Sequence, residues 1–149
     1  MLWAANGINR PGDGKRTAPS AMNKQDVDVY VIIEKAAYVY DAKNHSLNLV
    51  AEGDHRSSVA GGQDFVLQAP VSIVLVSDLS RLGDPQNERV QTMGAVDVGI
   101  VSQNISIFCA AANLATVPRA SMDLDALKAT LGLTESQLPI INHPVGYFK

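Results

Sequence analysis

Three polar residues near the N-terminus, Arg16, Ser20 and Asn23, are of types that could bind a ligand. They supply a cation, a hydroxyl and an amide around a predicted short helix that Ser20 can cap. Backbone N–H groups and the helix dipole at such a helix N-terminus favour an anion or an electron-rich ring. Ordinary capping on a solvated loop explains the same residues, so the pattern alone leaves both interpretations open.

The sequence contains no arrangement typical of a metal site or of a nucleophilic enzyme. His45 falls in a polar turn, and neither Cys nor His lies at metal-ligand spacing from it. Cys109 is the single cysteine, which excludes an internal disulfide, and its apolar surroundings predict a core residue. We therefore expect neither a metal nor a cysteine nucleophile.

Composition points to one folded domain over residues 1–149. The chain is 46% hydrophobic with a net charge of −3, and its basic residues are scattered, which argues against a nucleic-acid partner. The first residues are too polar for a signal peptide, so we expect a cytoplasmic protein if this chain is complete. They look like the last turn of a helix that ends at Asn6-Gly7, which suggests a missing upstream segment.

The stretch 94–113 is the most apolar of the chain and predicts a helix that ends at Asn113. Apolar residues occupy every side of this helix, so one small domain can hardly cover it, and we expect a homodimer formed around it. A charge at Ile105 is then expected to give a monomer or an aggregate. A helix covered wholly by its own domain is the alternative. Polar residues interrupt the stretch too often for a membrane span.

Alternating and apolar runs predict strands at 28–34, 37–41, 46–52 and 71–77. The last of these runs is nearly continuous, which is typical of a central strand covered on both faces. An amphipathic helix is predicted at 123–131, and two prolines limit residues 138–147 to an edge or terminal strand. Together these elements predict an α+β fold, a mixed sheet flanked by helices.

Several segments in order resemble the FMN-dependent nitroreductase family, in particular its branch of SagB-type dehydrogenases. They are LWAANGINRP, GKRTAPSAMNKQ, VYVYDAKNHSLNLV, GGQDFVLQAPVSIVLVSD, DVGIVSQNISIFCAAANLATVPR and INHPVGY. The resemblance implies a helix-flanked mixed sheet, a homodimer built on the long helix, and FMN at the dimer interface. The family's N-terminal helix with its phosphate-binding motif has no counterpart in this sequence, and Phe148 stands where a proline is common.

The resemblance also implies which residues hold the cofactor. The loop containing Arg16, Pro19, Ser20 and Asn23 would lie against the flavin of the partner subunit. The other residues implied are Gln103 and Asn104 on the interface helix, Thr116, Val117 and Pro118 near the flavin ring, and Lys149 at the phosphate.

The implied activity is hydride transfer from NAD(P)H through FMN to an electron-poor acceptor such as a nitroaromatic or a quinone. No separate acid–base constellation is needed, because the cofactor carries the chemistry. The alternatives are a SagB-type azoline dehydrogenase acting on peptides, and a flavin-binding dimer without catalysis. A purely structural dimer would bind no flavin at all.

Overall fold

The computed structural model describes residues 1–148 and is built on a six-stranded sheet with helices on both faces. The strands are β1 Ile8–Arg10, β2 Lys15–Arg16, β3 Val27–Ile32, β4 Ala36–Asp41, β5 Ser46–Glu52, β6 Val71–Asp78, β7 Leu114–Thr116 and β8 Gln137–Tyr147. The helices are α1 Leu2–Asn6, α2 Arg56–Ala60, α3 Glu88–Ala111 and α4 Leu124–Leu131, with 3-10 turns at Ala21–Asn23, Asp64–Gln68 and Leu79–Arg81. The predicted α+β class is confirmed.

Strand order in the main sheet is β5-β4-β3-β6-β8-β7, and β1 pairs with β2 outside it. Every strand pair within residues 1–148 is antiparallel, so the expected mixture of parallel and antiparallel pairs does not occur there. Short turns join β3, β4 and β5, and such connections fit only antiparallel neighbours. The small β1-β2 ribbon pairs Ile8 with Arg16 and Arg10 with Lys15.

β6 lies between β3 and β8 and alternates its side chains between two cores. Ile73 and Leu75 face the core under α1 and α3, whereas Val74 and Val76 face the core under α2 and α4. All four side chains are fully buried. The prediction of a central strand covered on both faces is confirmed, because a sheet with helices on each face leaves no solvated side.

β8 is the last strand of the chain, as expected, but it is not an edge strand along its second half. It pairs with β6 along its length and with β7 at Val145 to Tyr147, and Arg119 and Asn142 form a further bridge. The pairing register shifts between Leu75 and Val76, which face Ile141 and Pro139, so Ile140 of β8 is the extra residue of a bulge. This bulge accommodates the missing proline N–H inside a sheet.

α3 begins six residues earlier than predicted and ends as predicted. The Asn87 side chain accepts a hydrogen bond from the Arg89 N–H and caps the helix. The first turns are polar and exposed, which made them look like a connecting loop. Asn113 adopts a left-handed conformation with φ of 54°, which ends the helix after Ala111.

The two long faces of α3 have opposite environments. The inner face packs on the sheet and includes Ile105, which is fully buried in its own protomer, so the expectation that Ile105 lies in an interface is wrong. On the outer face Val96 and Ile107 are 56% and 58% exposed. By length and a mean hydropathy of 1.3, α3 resembles a membrane span. Its inner face is nevertheless that of a core helix, and it includes the buried carboxyl of Asp97.

Candidate functional site

A cavity of about 280 Å³ opens between the Asp64–Gln68 turn, the start of β6 and the paired ends of β7 and β8. This volume is close to the lower end of the range for small-molecule clefts, about 300 to 1,000 Å³. No charged side chain lines it among residues 1–148. Its lining residues include Phe65, Gln68, Pro70, Thr116, Val117 and Tyr147. The cavity therefore suits an apolar or aromatic ligand with a few polar atoms.

Thr116 at the wall of the cavity is held by a buried hydrogen-bond chain. Its Oγ1 donates to the Pro144 carbonyl oxygen at 2.9 Å and lies 3.2 Å from Nδ1 of His143. Nε2 of His143 lies 2.7 Å from Oγ of Ser102 on the inner face of α3. The chain links the cavity to the long helix through His143, whose side chain is fully buried.

Burial lowers the pKa of His143 to about 4, so the ring is neutral at neutral pH. The Thr116 hydroxyl donates its proton to the Pro144 carbonyl oxygen, so Thr116 Oγ1 accepts from Nδ1–H of His143. Nε2 of His143 then carries no proton and accepts from the Ser102 hydroxyl. This tautomer follows from the hydrogen-bond pattern. Every polar atom of the imidazole is then satisfied, which is the condition for a buried polar group to stabilise the fold.

The loop with the first predicted site residues lies elsewhere, beside the middle of α3. Ser20 precedes the 3-10 turn as expected, but its Oγ accepts from the Gln25 N–H at 2.8 Å and does not cap the turn. Arg16 donates to Oε1 of Gln25 at 2.9 Å and to the carbonyl oxygen of Asn6 at 3.1 Å. Arg16 thus holds the base of the loop, and burial lowers its pKa.

A single chain does not bring this loop to the cavity. The loop is attached to α3 at Asp97, through a 2.7 Å hydrogen bond from the Ala21 N–H to Oδ2. No residue of the loop 20–25 lines the cavity.

The remaining predicted residues have different surroundings. Pro19, Asn23, Gln103, Val117 and Pro118 are exposed. Asn104 is half-buried, and its Nδ2 donates to the carbonyl oxygen of Ala5, which ties α1 to α3. Lys149 lies outside the described residues. The structure therefore puts Thr116 and Val117 at the cavity and the Ser20 loop away from it.

Sequence reasoning missed His143 and Ser102, which hold Thr116, and Asp97, which holds the Ser20 loop. Asp97 carried a signal, since it is a charged residue within the most apolar stretch of the chain. His143 had no comparable signal, because its partners Ser102 and Thr116 are distant in sequence and meet only through sheet pairing.

Comparisons with known proteins agree with this architecture. Residues 1–147 match the model of the nitroreductase family. A candidate nitroreductase of Methanocaldococcus jannaschii is 24% identical over 155 residues, covering 98% of this chain and 77% of that protein. A candidate nitroreductase of Ralstonia eutropha JMP134 with a crystal structure is 35% identical with a TM-score of 0.90, covering 99% of this chain and 70% of that one.

A third similarity concerns the fold alone. A chain of the E. coli microcin synthetase complex, solved with truncated pro-MccB17 bound, has a TM-score of 0.85 at 18% identity. It covers 99% of this chain and 61% of that one.

Proposed function

This chain belongs to the nitroreductase family, and from that premise we propose that it is an FMN-dependent oxidoreductase using NAD(P)H to reduce an electron-poor acceptor, such as a nitroaromatic or a quinone. Bound FMN would supply the hydride chemistry. The observation that carries the proposal is the uncharged cavity whose wall is formed by Thr116 and Val117. These are two of the three residues that the family resemblance implies near the flavin ring.

The residues of the cavity fit a planar aromatic ring. Phe65, Val117 and Tyr147 present large apolar surfaces that are 54%, 44% and 81% exposed in the single chain. Apolar groups clustered at a cavity favour a ligand that removes them from water. The described residues do not provide a cation inside this cavity for the phosphate. We therefore expect FMN to bind with a dissociation constant above the nanomolar range.

We propose that the active form is a homodimer through the outer face of α3. Val96 and Ile107 are exposed on this face, and a shallow groove of about 300 Å³ lies beside Ile107, lined by Ala4, Asn104, Phe108 and Ala111. In a two-fold dimer with antiparallel α3 helices, each Ser20 loop would approach the other protomer's cavity. That arrangement supports the assignment of Arg16, Pro19, Ser20 and Asn23 to the partner's flavin.

The role of this chain's own residues is to orient the ligand and to exclude water from the cavity. Thr116 is fixed by His143 and Pro144, so its backbone offers one defined position to a ligand. His143 is neutral and fully buried, which suits it to holding Thr116 and not to moving a proton to the acceptor. Apolar side chains around the cavity would keep water from the reacting atoms.

The test is an FMN titration followed by an NAD(P)H oxidation assay with a nitroaromatic and a quinone. Val117→Glu adds a negative charge at the cavity and should weaken FMN binding by at least about tenfold. Leu124→Glu, on α4 and similarly exposed at 47%, is the matched control and should bind as the unaltered protein does. Absence of FMN binding in the unaltered dimer would refute the proposal.

Two alternatives are separated by the same experiment. Bound flavin without NAD(P)H oxidation would indicate a flavin-binding dimer without catalysis. The likeness in fold to the microcin synthetase chain favours a test of an azoline-containing peptide as well, which a SagB-type dehydrogenase would oxidise. A cytoplasmic location suits either oxidoreductase, and we propose it for this chain.

A further inference from the structure

Two buried carboxyl groups lie beneath the loop that contains Ser20 and Asn23. Asp26 is 0% exposed and Asp97 is 4% exposed. Ser77 Oγ donates to Oδ2 of Asp26 at 2.6 Å, and the Ala21 N–H donates to Oδ2 of Asp97 at 2.7 Å. Oδ1 of Asp26 has no hydrogen-bond partner among the described residues. A buried acceptor left in this state is costly unless a proton reaches it.

The nearby cations are engaged with other groups. Arg81 forms ion pairs with Asp28 of β3 and with Asp78, and it also donates to the Gln25 carbonyl oxygen. Arg16 donates to the Gln25 side chain. Neither arginine forms an ion pair with Asp26 or Asp97 within residues 1–148.

The other elements packed on the pair bring no opposite charge. β6 contributes the Ser77 hydroxyl, and α3 contributes Asp97 itself. Gly94 of α3 lies so close to β6 that an added Cβ would be 2.5 Å from Ser77 Oγ. No room remains there for a larger side chain.

Two like charges in this environment cannot both be ionised without a large penalty. Burial raises the pKa of Asp26 to about 6, the neighbouring Asp97 carboxyl adds to the rise, and the hydrogen bond from the Ser77 hydroxyl opposes it. The carboxyl pair therefore carries one proton over a range in which an ordinary aspartate has lost it.

The loop above the pair depends on a few hydrogen bonds for its shape. Met22, Asn23 and Gln25 all have positive φ, near 50°, although none is glycine. Non-glycine residues adopt this conformation only when surrounding contacts hold them there. The bond from Ala21 to Asp97 attaches the loop to α3, and the bond from Gln25 to Ser20 closes it.

We propose that Asp26 and Asp97 share one proton, and that this proton holds the loop 20–25 on α3 in the shape that presents Ser20 and Asn23 to the flavin. The protonated Asp26 donates to the Asp97 carboxylate, which accepts the Ala21 N–H. When the proton is lost, two negative charges face each other in a site of low dielectric, and the loop is released toward water. Asp97 is thus a positioning residue. The link to flavin rests on the proposed function.

FMN titration between pH 5 and 8 tests the link. The FMN phosphate itself titrates near pH 6, so the quantity to compare is the ratio of affinities of the unaltered protein and Asp26→Asn at each pH. This ratio should fall by roughly tenfold as the pH rises from 5 to 8, the effect of a one-unit shift in one pKa. Asp125→Asn, which removes an exposed carboxylate on α4, should follow the unaltered protein. A ratio that stays constant across this range would overturn the link to flavin.

A second measurement tests the shared proton without flavin. In carbon-13 NMR one aspartate carboxyl should titrate well above the usual range, and the Ala21 amide resonance should move with the same midpoint. Both effects should vanish in Asp26→Asn and persist in Asp125→Asn. If both carboxyls titrate near pH 4, the shared proton is refuted. If the carboxyl groups titrate as expected but no FMN binds, the proposed function is refuted and the shared proton of Asp26 and Asp97 is confirmed.

Discussion

The inner and outer faces of α3 have similar apolar composition and opposite surroundings. The inner face holds Val98, Val101 and Ile105, each almost fully buried against the sheet, whereas Val96 and Ile107 on the outer face are more than half exposed. Composition therefore does not distinguish a core residue from an exposed residue on this helix. The distinction comes from which face the sheet covers.

The polar residues buried between α3 and the sheet form two groups that differ in how completely they are hydrogen-bonded. Ser102 and His143 satisfy each other and Thr116, while Asp97 and Asp26 leave one buried oxygen without a partner. A satisfied network favours a single arrangement of atoms, and an unsatisfied one responds to protonation. The two sites lie about 7.5 Å apart along α3, since five residues at 1.5 Å separate Asp97 from Ser102.

The largest expected contrast is between glutamates at two neighbouring positions of α3. Ile105→Glu buries a charge in the core and should prevent folding, because the penalty is comparable to the whole stability of a domain, about 5 to 15 kcal/mol. Ile107→Glu should give a folded monomer. Circular dichroism and size-exclusion chromatography measure both. A folded dimer with Glu at position 107 would show that the outer face is not the interface.

The next contrast concerns the polar network of the inner face. His143→Ala removes a fully buried ring and leaves Ser102 and Thr116 with unmet hydrogen bonds, so the free energy of unfolding should drop by about 3 to 5 kcal/mol. His45→Ala, in the exposed turn before β5, should change it by no more than about 1 kcal/mol. Urea denaturation measures both. Equal effects would mean that the network contributes nothing to stability.

The stability contributions of His143 and Asp26 should change with pH in opposite directions. The folded pKa of His143, about 4, is below the unfolded value of 6.5, so the unfolded state binds more protons between these values and stability falls as the pH falls through that window. The folded pKa of Asp26, about 6, is above the unfolded value of 3.8. The free energy of unfolding that Asp26 contributes by holding its proton is therefore lost as the pH rises from about 4 to 6. Each effect is on the order of 3 kcal/mol.

In the unaltered protein these two effects oppose each other between pH 4 and 6. Asp26→Asn should therefore become more stable with rising pH in this range, and His143→Gln should become less stable. Urea denaturation at several pH values gives the two slopes. Slopes of the same sign in the two variants would contradict the assignment of these protons.

The smallest contrast in stability is between two valine-to-threonine substitutions, one on each face of α3. Both are made in the Ile107→Glu variant, so that the stability of a single protomer is measured. Val98→Thr buries a hydroxyl in the core and should lower the free energy of unfolding by about 1 to 3 kcal/mol. Val96→Thr places the same hydroxyl in water and should change it by less than about 0.5 kcal/mol. A large effect at Val96 would indicate that the outer face is covered within the protomer.

Local patterns were enough to predict several elements correctly. The apolar run 71–77 predicted the central strand, and Asn113 and Gly132 marked helix ends that the structure confirms with left-handed conformations. These signals depend on neighbouring residues only. The start of α3 was misplaced because its exposed first turns have the composition of a loop, and a helix supported by tertiary packing does not need an apolar first turn.

The antiparallel pairing of the sheet and the interior position of β8 were beyond the reach of local patterns. Prolines in β8 suggested an edge, yet a bulge at Ile140 of β8 and the Arg119–Asn142 bridge allow neighbours on both sides. Whether a strand has one neighbour or two depends on where segments distant in sequence pair with it. A residue's own propensities do not encode that choice.

The sequence by itself determined the α+β class and the apolar long helix, and its ordered motifs carried the family resemblance. These follow from residue types and short spacings, which act over one or two turns or strands. Only the tertiary structure decided that Ile105 belongs to the core, that the Ser20 loop does not line the cavity, and that His143 and Asp26 are buried beside their partners. Burial and pKa depend on which side chains surround a group in space, and those neighbours come from segments far apart in the chain.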